Sequence, residues 1–88
     1  RIGGEEFAML YYTKDEYVVE DFLNSIRRSV ENLHIPHDEH YSSKYITISI
    51  GAKLIKGADL QSAEDTFKEA DKALYIAKDT GRNRIVVV

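Results

Sequence analysis

The chain has 88 residues, 43% hydrophobic and 31% charged, with a net charge of -3; this limits it to one small domain that buries roughly 60–65% of its unfolded surface. That mix is too apolar for disorder, and the acidic balance argues against a nucleic-acid or anionic-membrane surface. No cysteine is present to form disulfides or thiolate metal sites, no apolar run approaches the roughly 18–20 residues of a membrane span, and no signal-peptide pattern stands at the start.

Arg1-Ile2 precede Gly3-Gly4-Glu5-Glu6. The glycine pair reads as a hairpin turn, since glycine tolerates positive φ and close approach. A hairpin arm of only two residues places the start of the sequence inside a motif. Phe7-Ala8-Met9-Leu10-Tyr11-Tyr12 is apolar on both faces, which suits a central strand covered on both sides. Thr13-Lys14-Asp15-Glu16 has the pattern of a capping box. Beyond it Val19, Phe22, Leu23, Ile26, Val30 and Leu33 recur at helical spacing. They predict an amphipathic helix of about five turns with Arg27, Arg28 and Glu31 on the wet side.

His34 to Lys44 reads as a polar loop around Pro36. Ile46, Ile48 and Ile50 alternate with Thr47, Ser49 and Gly51 and run on to Leu54, a strand with one apolar face that ends at Gly57. A second cap, Ser62-Ala63-Glu64-Asp65, opens a helix whose stripe is Phe67, Ala70, Leu74 and Ala77. Gly81 stands where a helix C′ glycine belongs, and Ile85 to Val88 form a short buried strand. The order strand-helix-strand-helix-strand predicts an α/β layered fold with helices packed on a sheet.

Three segments carry chemistry: Arg1-Ile2-Gly3-Gly4-Glu5-Glu6-Phe7, Ile46-Thr47-Ile48-Ser49-Ile50-Gly51, and the run from Ala70-Asp71-Lys72-Ala73-Leu74-Tyr75 through Ile76-Ala77-Lys78-Asp79-Thr80 to Gly81-Arg82-Asn83. In order and spacing they resemble the GGDEF family of diguanylate cyclases over essentially the whole chain. Alone, Gly-Gly-Glu-Glu is an exposed turn with two acids. The resemblance implies that Gly3 and Gly4 let backbone approach a nucleotide. It places Glu5 at the metal-ligand position and Glu6 beside it, assisting with the metal or with the attacking hydroxyl. Magnesium favours one or two carboxylates plus substrate phosphates, so the residue types suit Mg²⁺ or Mn²⁺.

The resemblance implies that Lys78 and Arg82, four apart at and just past the end of the last helix, contact GTP phosphates, Lys as a point charge and Arg as a planar fork. Cations there also complement the helix dipole without any ligand. Arg1 is conventional for the family two places before the glycines, and also serves as a plain charged strand residue. Ile2 replaces the aromatic often found next. His34, His37 and His40, beside Asp38 and Glu39, have the spacing of a transition-metal cluster but no framing element, which favours a solvated loop. Arg27-Arg28 suits a wet helix face better than a secondary product-binding patch, and the six tyrosines read as core and sheet residues.

The resemblance implies a cytoplasmic domain, in a parent that is either free or membrane-anchored. That parent condenses two GTP into cyclic di-GMP and pyrophosphate as a homodimer, without a nucleic-acid polymer or membrane contact through this segment. It identifies the chain as the C-terminal half of a GGDEF domain, with another metal-binding Asp, guanine-recognition helices and an Arg-x-x-Asp inhibition site upstream of Arg1. Two other readings stand beside it: an inert GGDEF domain that binds GTP and regulates an attached phosphodiesterase or other partner, and a structural α/β domain with accidental motifs. With half its ligands, the isolated 88-residue chain is expected to make no cyclic di-GMP from GTP and Mg²⁺ in a chromatographic assay; robust turnover would refute that assignment.

Overall fold

The computed structural model describes residues 6–10, 13–38, 44–57 and 62–88. A 3₁₀ turn, Glu16–Val18, leads into helix α1, Val19–Glu31. Strand β1, Ile50–Ala52, is followed by helix α2, Ala63–Asp79, and strand β2, Ile85–Val87. The class is α+β, with helices laid on a two-stranded parallel sheet. Parallel neighbours need a crossover connection, and α2 supplies it. The register pairs Ile50 with Ile85, Gly51 with Val86 and Ala52 with Val87. Bonds from Leu54 N–H to Val88 O and from Val88 N–H to Ala52 O, both 2.9 Å, carry the pairing slightly further.

The close seat of α2 on β1 positions everything else. A Cβ on Gly51 would lie 2.5 Å from Ala70 O and 2.6 Å from Leu74 Cα, and would press on the Leu74 amide nitrogen. Ala73 and Ala77, on the same helix face, are fully buried. Small residues on both sides let the helix backbone lie almost directly on the strand. Lys53 and Glu69 tie the two elements at 3.0 Å. Helix α1 packs against β2 and buries Val19 and Leu23, with Ile26 and Val30 half-buried.

Several expectations meet a different outcome. Residues 7–10 form no strand, and Phe7, Met9 and Leu10 are exposed. A strand exists only through its ladder partners, and residues 7–10 join no ladder. Residues 11 and 12 lie outside the described residues. The strand expected from Ile46 to Leu54 shortens to three ladder residues, because 44–46 pair elsewhere. Pro36 and Tyr45 form an antiparallel bridge, with Ile46 N–H donating to Ile35 O at 2.8 Å and His37 N–H to Lys44 O at 3.0 Å. The predicted polar loop is thus partly a clip along the strand segment, with the His34 ring 4.7 Å from that of Tyr45. His40 lies outside the described residues.

The first helix starts later than its capping box. Thr13 Oγ1 accepts from Asp15 N–H at 3.2 Å, and Asp15 Oδ1 caps Tyr17 N–H at 2.9 Å. Glu16 turns outward to Lys56, 3.4 Å away. Phe22 lies at the edge of the apolar stripe, and Leu33 falls beyond the Asn32 cap, so both are exposed. The second helix begins at its predicted cap, with Ser62 Oγ accepting from Asp65 N–H at 3.1 Å. Phe67, expected in the buried stripe, is 46% exposed. A 17-residue helix is about 26 Å long, whereas three strand residues span only about 10 Å, so the first turns of α2 outrun the sheet.

Gly51→Ala should cost about 2–3 kcal/mol, since the clash is with backbone that cannot rotate away. Gly57 supplies the control, because a Cβ there would meet nothing within 4 Å; Gly57→Ala should change stability by less than about 0.5 kcal/mol. Thermal melts of the two variants, made in the protein that carries this chain, check the difference.

Candidate functional site

The C-terminal end of α2 is built by a glycine turn with an unusual continuation. Thr80 caps the helix, its N–H donating to Ile76 O at 2.9 Å. Gly81 follows at φ +131°, and Arg82 N–H reaches back to Ala77 O at 2.9 Å, the six-to-one bond of a Schellman motif. A side chain on Gly81 would also collide with the Arg84 guanidinium. Arg82 and Asn83 then take left-handed backbone angles, φ 62° and 47°. For an ordinary L-residue that conformation costs about 1–2 kcal/mol, so the surrounding contacts must hold it in place.

Those contacts run to α1 and to the approach to β1. Asn83 N–H donates to Ser49 Oγ at 3.1 Å, just before β1. Its side-chain oxygen accepts from Arg27 Nη1 of α1 at 3.0 Å, and its amide nitrogen donates to Glu31 Oε2 of the same helix. Arg27 also reaches Glu31 Oε1 at 3.5 Å and Asn24 Oδ1 at 3.2 Å. Arg84 Nε donates to Arg82 O at 3.0 Å, while Arg84 O accepts from Ile50 N–H at 3.0 Å.

Lys78, in the last turn of α2, reaches Glu6 Oε1 at 3.2 Å. The two side chains are 33% and 41% exposed, and pairs this wet contribute only about 0–1 kcal/mol. The contact therefore matters for location: it brings an acid of the Gly-Gly-Glu-Glu segment to the cationic end of α2. Arg82 follows four residues later, exposed to solvent.

Of the residues predicted to form a site, Glu6 and Lys78 meet directly, and Arg82 stands on the adjoining turn. Arg1, Gly3, Gly4 and Glu5 lie outside the described residues. Among the described residues no group of three or more His, Asp or Glu side chains could hold a metal ion. The donor chemistry is a carboxylate beside a lysine. An ammonium donates but cannot ligate a cation, so these described residues do not by themselves make a Mg²⁺ site, which would need further oxygen ligands.

Sequence reasoning missed the Arg27–Asn83–Glu31 brace. Arg27, assigned to a wet face, has a side chain only 16% exposed. One signal was present: Asn24, Arg27 and Glu31 at spacings of three and four share a side of α1. Nothing in that stripe identifies Asn83 as its partner 56 residues away.

Comparison with known proteins gives the chain's family. Residues 1–84 match the family described as diguanylate cyclase, GGDEF domain. The chain is 38% identical over 87 residues, 99% of its length, to "Probable diguanylate cyclase DgcT" of Escherichia coli strain K12, of which that stretch is 19%. It is 38% identical over 99% of its length to "Diguanylate cyclase A" of Treponema denticola, covering 23% of that protein. Against "Diguanylate cyclase VdcA" of Vibrio cholerae it is 34% identical over 98% of the chain and 25% of the relative. The chain belongs to the GGDEF domain family, and it spans only about a fifth to a quarter of these relatives' lengths. Among the described residues no helix is long and apolar enough to cross a membrane.

Proposed function

We propose that this chain supplies the C-terminal half of a GGDEF domain, and that its parent is a cytoplasmic-facing diguanylate cyclase that joins two GTP into cyclic di-GMP with release of two pyrophosphates. The single observation that carries the reading is the 3.2 Å contact between Glu6 and Lys78. It supports the reading by bringing one acid of the Gly-Gly-Glu-Glu segment to the cationic end of α2, where a metal-bound triphosphate would need both charges.

In this reading Lys78 neutralises phosphate charge as a mobile ammonium. Arg82, held on its left-handed turn, engages phosphate oxygens with a planar fork. Gly3 and Gly4 leave the backbone free to approach the nucleotide. Glu5 would hold Mg²⁺ or Mn²⁺, and Glu6 orients Lys78 and assists with the metal or with the attacking hydroxyl. The metal, when bound, supplies charge neutralisation over the phosphates. These residues bind and orient; the catalytic gain comes from positioning and charge complementarity.

Each 3′-hydroxyl attacks the α-phosphate of the other GTP, its proton passing to base or solvent as the pyrophosphate leaves. A single site holds one GTP, so two domains must face each other and the homodimer is part of the chemistry. The alternative, an inert GTP-binding module that regulates an attached phosphodiesterase or other partner, uses the same residues without turnover. Glu5-Glu6 in the turn favours the cyclase.

Glu5→Ala, Lys78→Ala and Arg82→Ala in the full-length protein should each weaken GTP binding in Mg²⁺ by about tenfold or more, since each removes a charge-assisted contact. Calorimetric titration measures this, with cyclic di-GMP formation assayed in parallel. Unchanged affinity in all three would remove the site assignment, whereas GTP binding by the wild type without any product would select the regulatory module.

A further inference from the structure

Arg82 stands on strained backbone, and the residue that secures it is not a ligand candidate. Asn83 shares the left-handed stretch, φ 47° after 62° at Arg82. Asparagine tolerates that region better than most residues, but arginine has no such advantage. The turn must therefore be held from outside. Its backbone is anchored to Ser49 at 3.1 Å through Asn83 N–H. Its one side-chain amide is gripped at both ends by α1, with Arg27 donating to the oxygen at 3.0 Å and Glu31 accepting from the nitrogen. Arg27 and Glu31 also bond each other, and Asn24 holds Arg27 from the preceding turn. The network is part-buried and closes on itself, so each polar group restrains the next.

We infer that Asn83, clamped by Arg27 and Glu31, is a positioning residue: it fixes the turn that aims Arg82 at the anionic ligand and so couples α1 to the binding site. This rests on the proposal that Arg82 engages a nucleotide phosphate. Asn83 itself touches α1 and Ser49, not the ligand. Its contribution is the geometry of its neighbour, and a guanidinium fork is sensitive to such geometry because bidentate contact with phosphate depends on the angle of approach. Lys78, one helical turn earlier and held by Glu6, lies outside the clamp.

Non-additivity is the signature of such a clamp. If Asn83 works through Arg82, its loss matters only while Arg82 is present; a merely structural role would weaken binding whether or not Arg82 is there. The probe is α,β-methylene GTP with Mg²⁺, which cannot release pyrophosphate, titrated calorimetrically into the full-length protein. Asn83→Ala should weaken binding by about tenfold. Arg82→Ala should weaken it at least as much, and the double variant no more than Arg82→Ala alone.

A rescue guards against misfolding. Asn83→Asp keeps the acceptor for Arg27 but sets two acids against each other at Glu31, and should bind as poorly as Asn83→Ala. Adding Glu31→Gln restores a donor opposite Asp, and should return affinity to within about twofold of the wild type. Losses that multiply in the double variant, a wild-type affinity in Asn83→Ala, or failure of Glu31→Gln to rescue would each overturn the clamp. Arg82→Ala with undiminished affinity would instead remove the functional reading on which the clamp rests.

Discussion

The closeness of α2 to β1 at Gly51 is the constraint from which the rest of the molecule follows. No side chain separates the two backbones there, because a Cβ would fall within 2.6 Å of Leu74 Cα. With Ala73 and Ala77 fully buried on the same face, the helix has one depth and one rotation at which it can lie. Small residues bury little apolar area, so the gain here is geometric as much as hydrophobic. The end of α2 is thereby fixed relative to the sheet, and with it the place of Lys78 and of the turn beyond.

The turn converts that placement into chemistry. A helix that ended in solvent would leave Arg82 on a freely varying segment. Here the chain must return at once to β2, alongside β1, with Arg84 O already bonded to Ile50 N–H. The short return is made by one glycine and two left-handed residues. Arg82 is held just past a helix end, four residues beyond the Lys78 that pairs with Glu6, by contacts that reach α1 and the approach to β1. The result is a turn whose backbone is fixed by the fold just beyond Lys78, with the Arg82 side chain exposed to solvent.

Much of this was legible in the residues. Ser62 as a cap, the stripe through Ala70, Leu74 and Ala77, and Gly81 as the terminating glycine follow from local rules, and all three appear where expected. What failed was non-local. Phe7 to Leu10 read as a buried strand from composition, but a strand depends on partners that no window of sequence specifies. Phe67 had the right period, and is exposed because the helix outlasts the strands beneath it. Arg27 looked like a solvated cation until Asn83 supplied its partner from the far end of the chain. The roles of Gly3, Gly4 and Glu5 rest on resemblance to the GGDEF family, since spacing alone gives only a common turn, and these residues lie outside the described ones.

The central claim is that the acidic turn and the cationic end of α2 face one ligand. Paramagnetic broadening tests it directly: GTP is added to the ¹⁵N-labelled full-length protein with substoichiometric Mn²⁺, and amide signals are followed residue by residue. The account predicts that Glu5, Glu6, Lys78 and Arg82 lose intensity together, at the same Mn²⁺ level and only with GTP present. Broadening confined to Glu5 and Glu6, with Lys78 and Arg82 untouched, would contradict it.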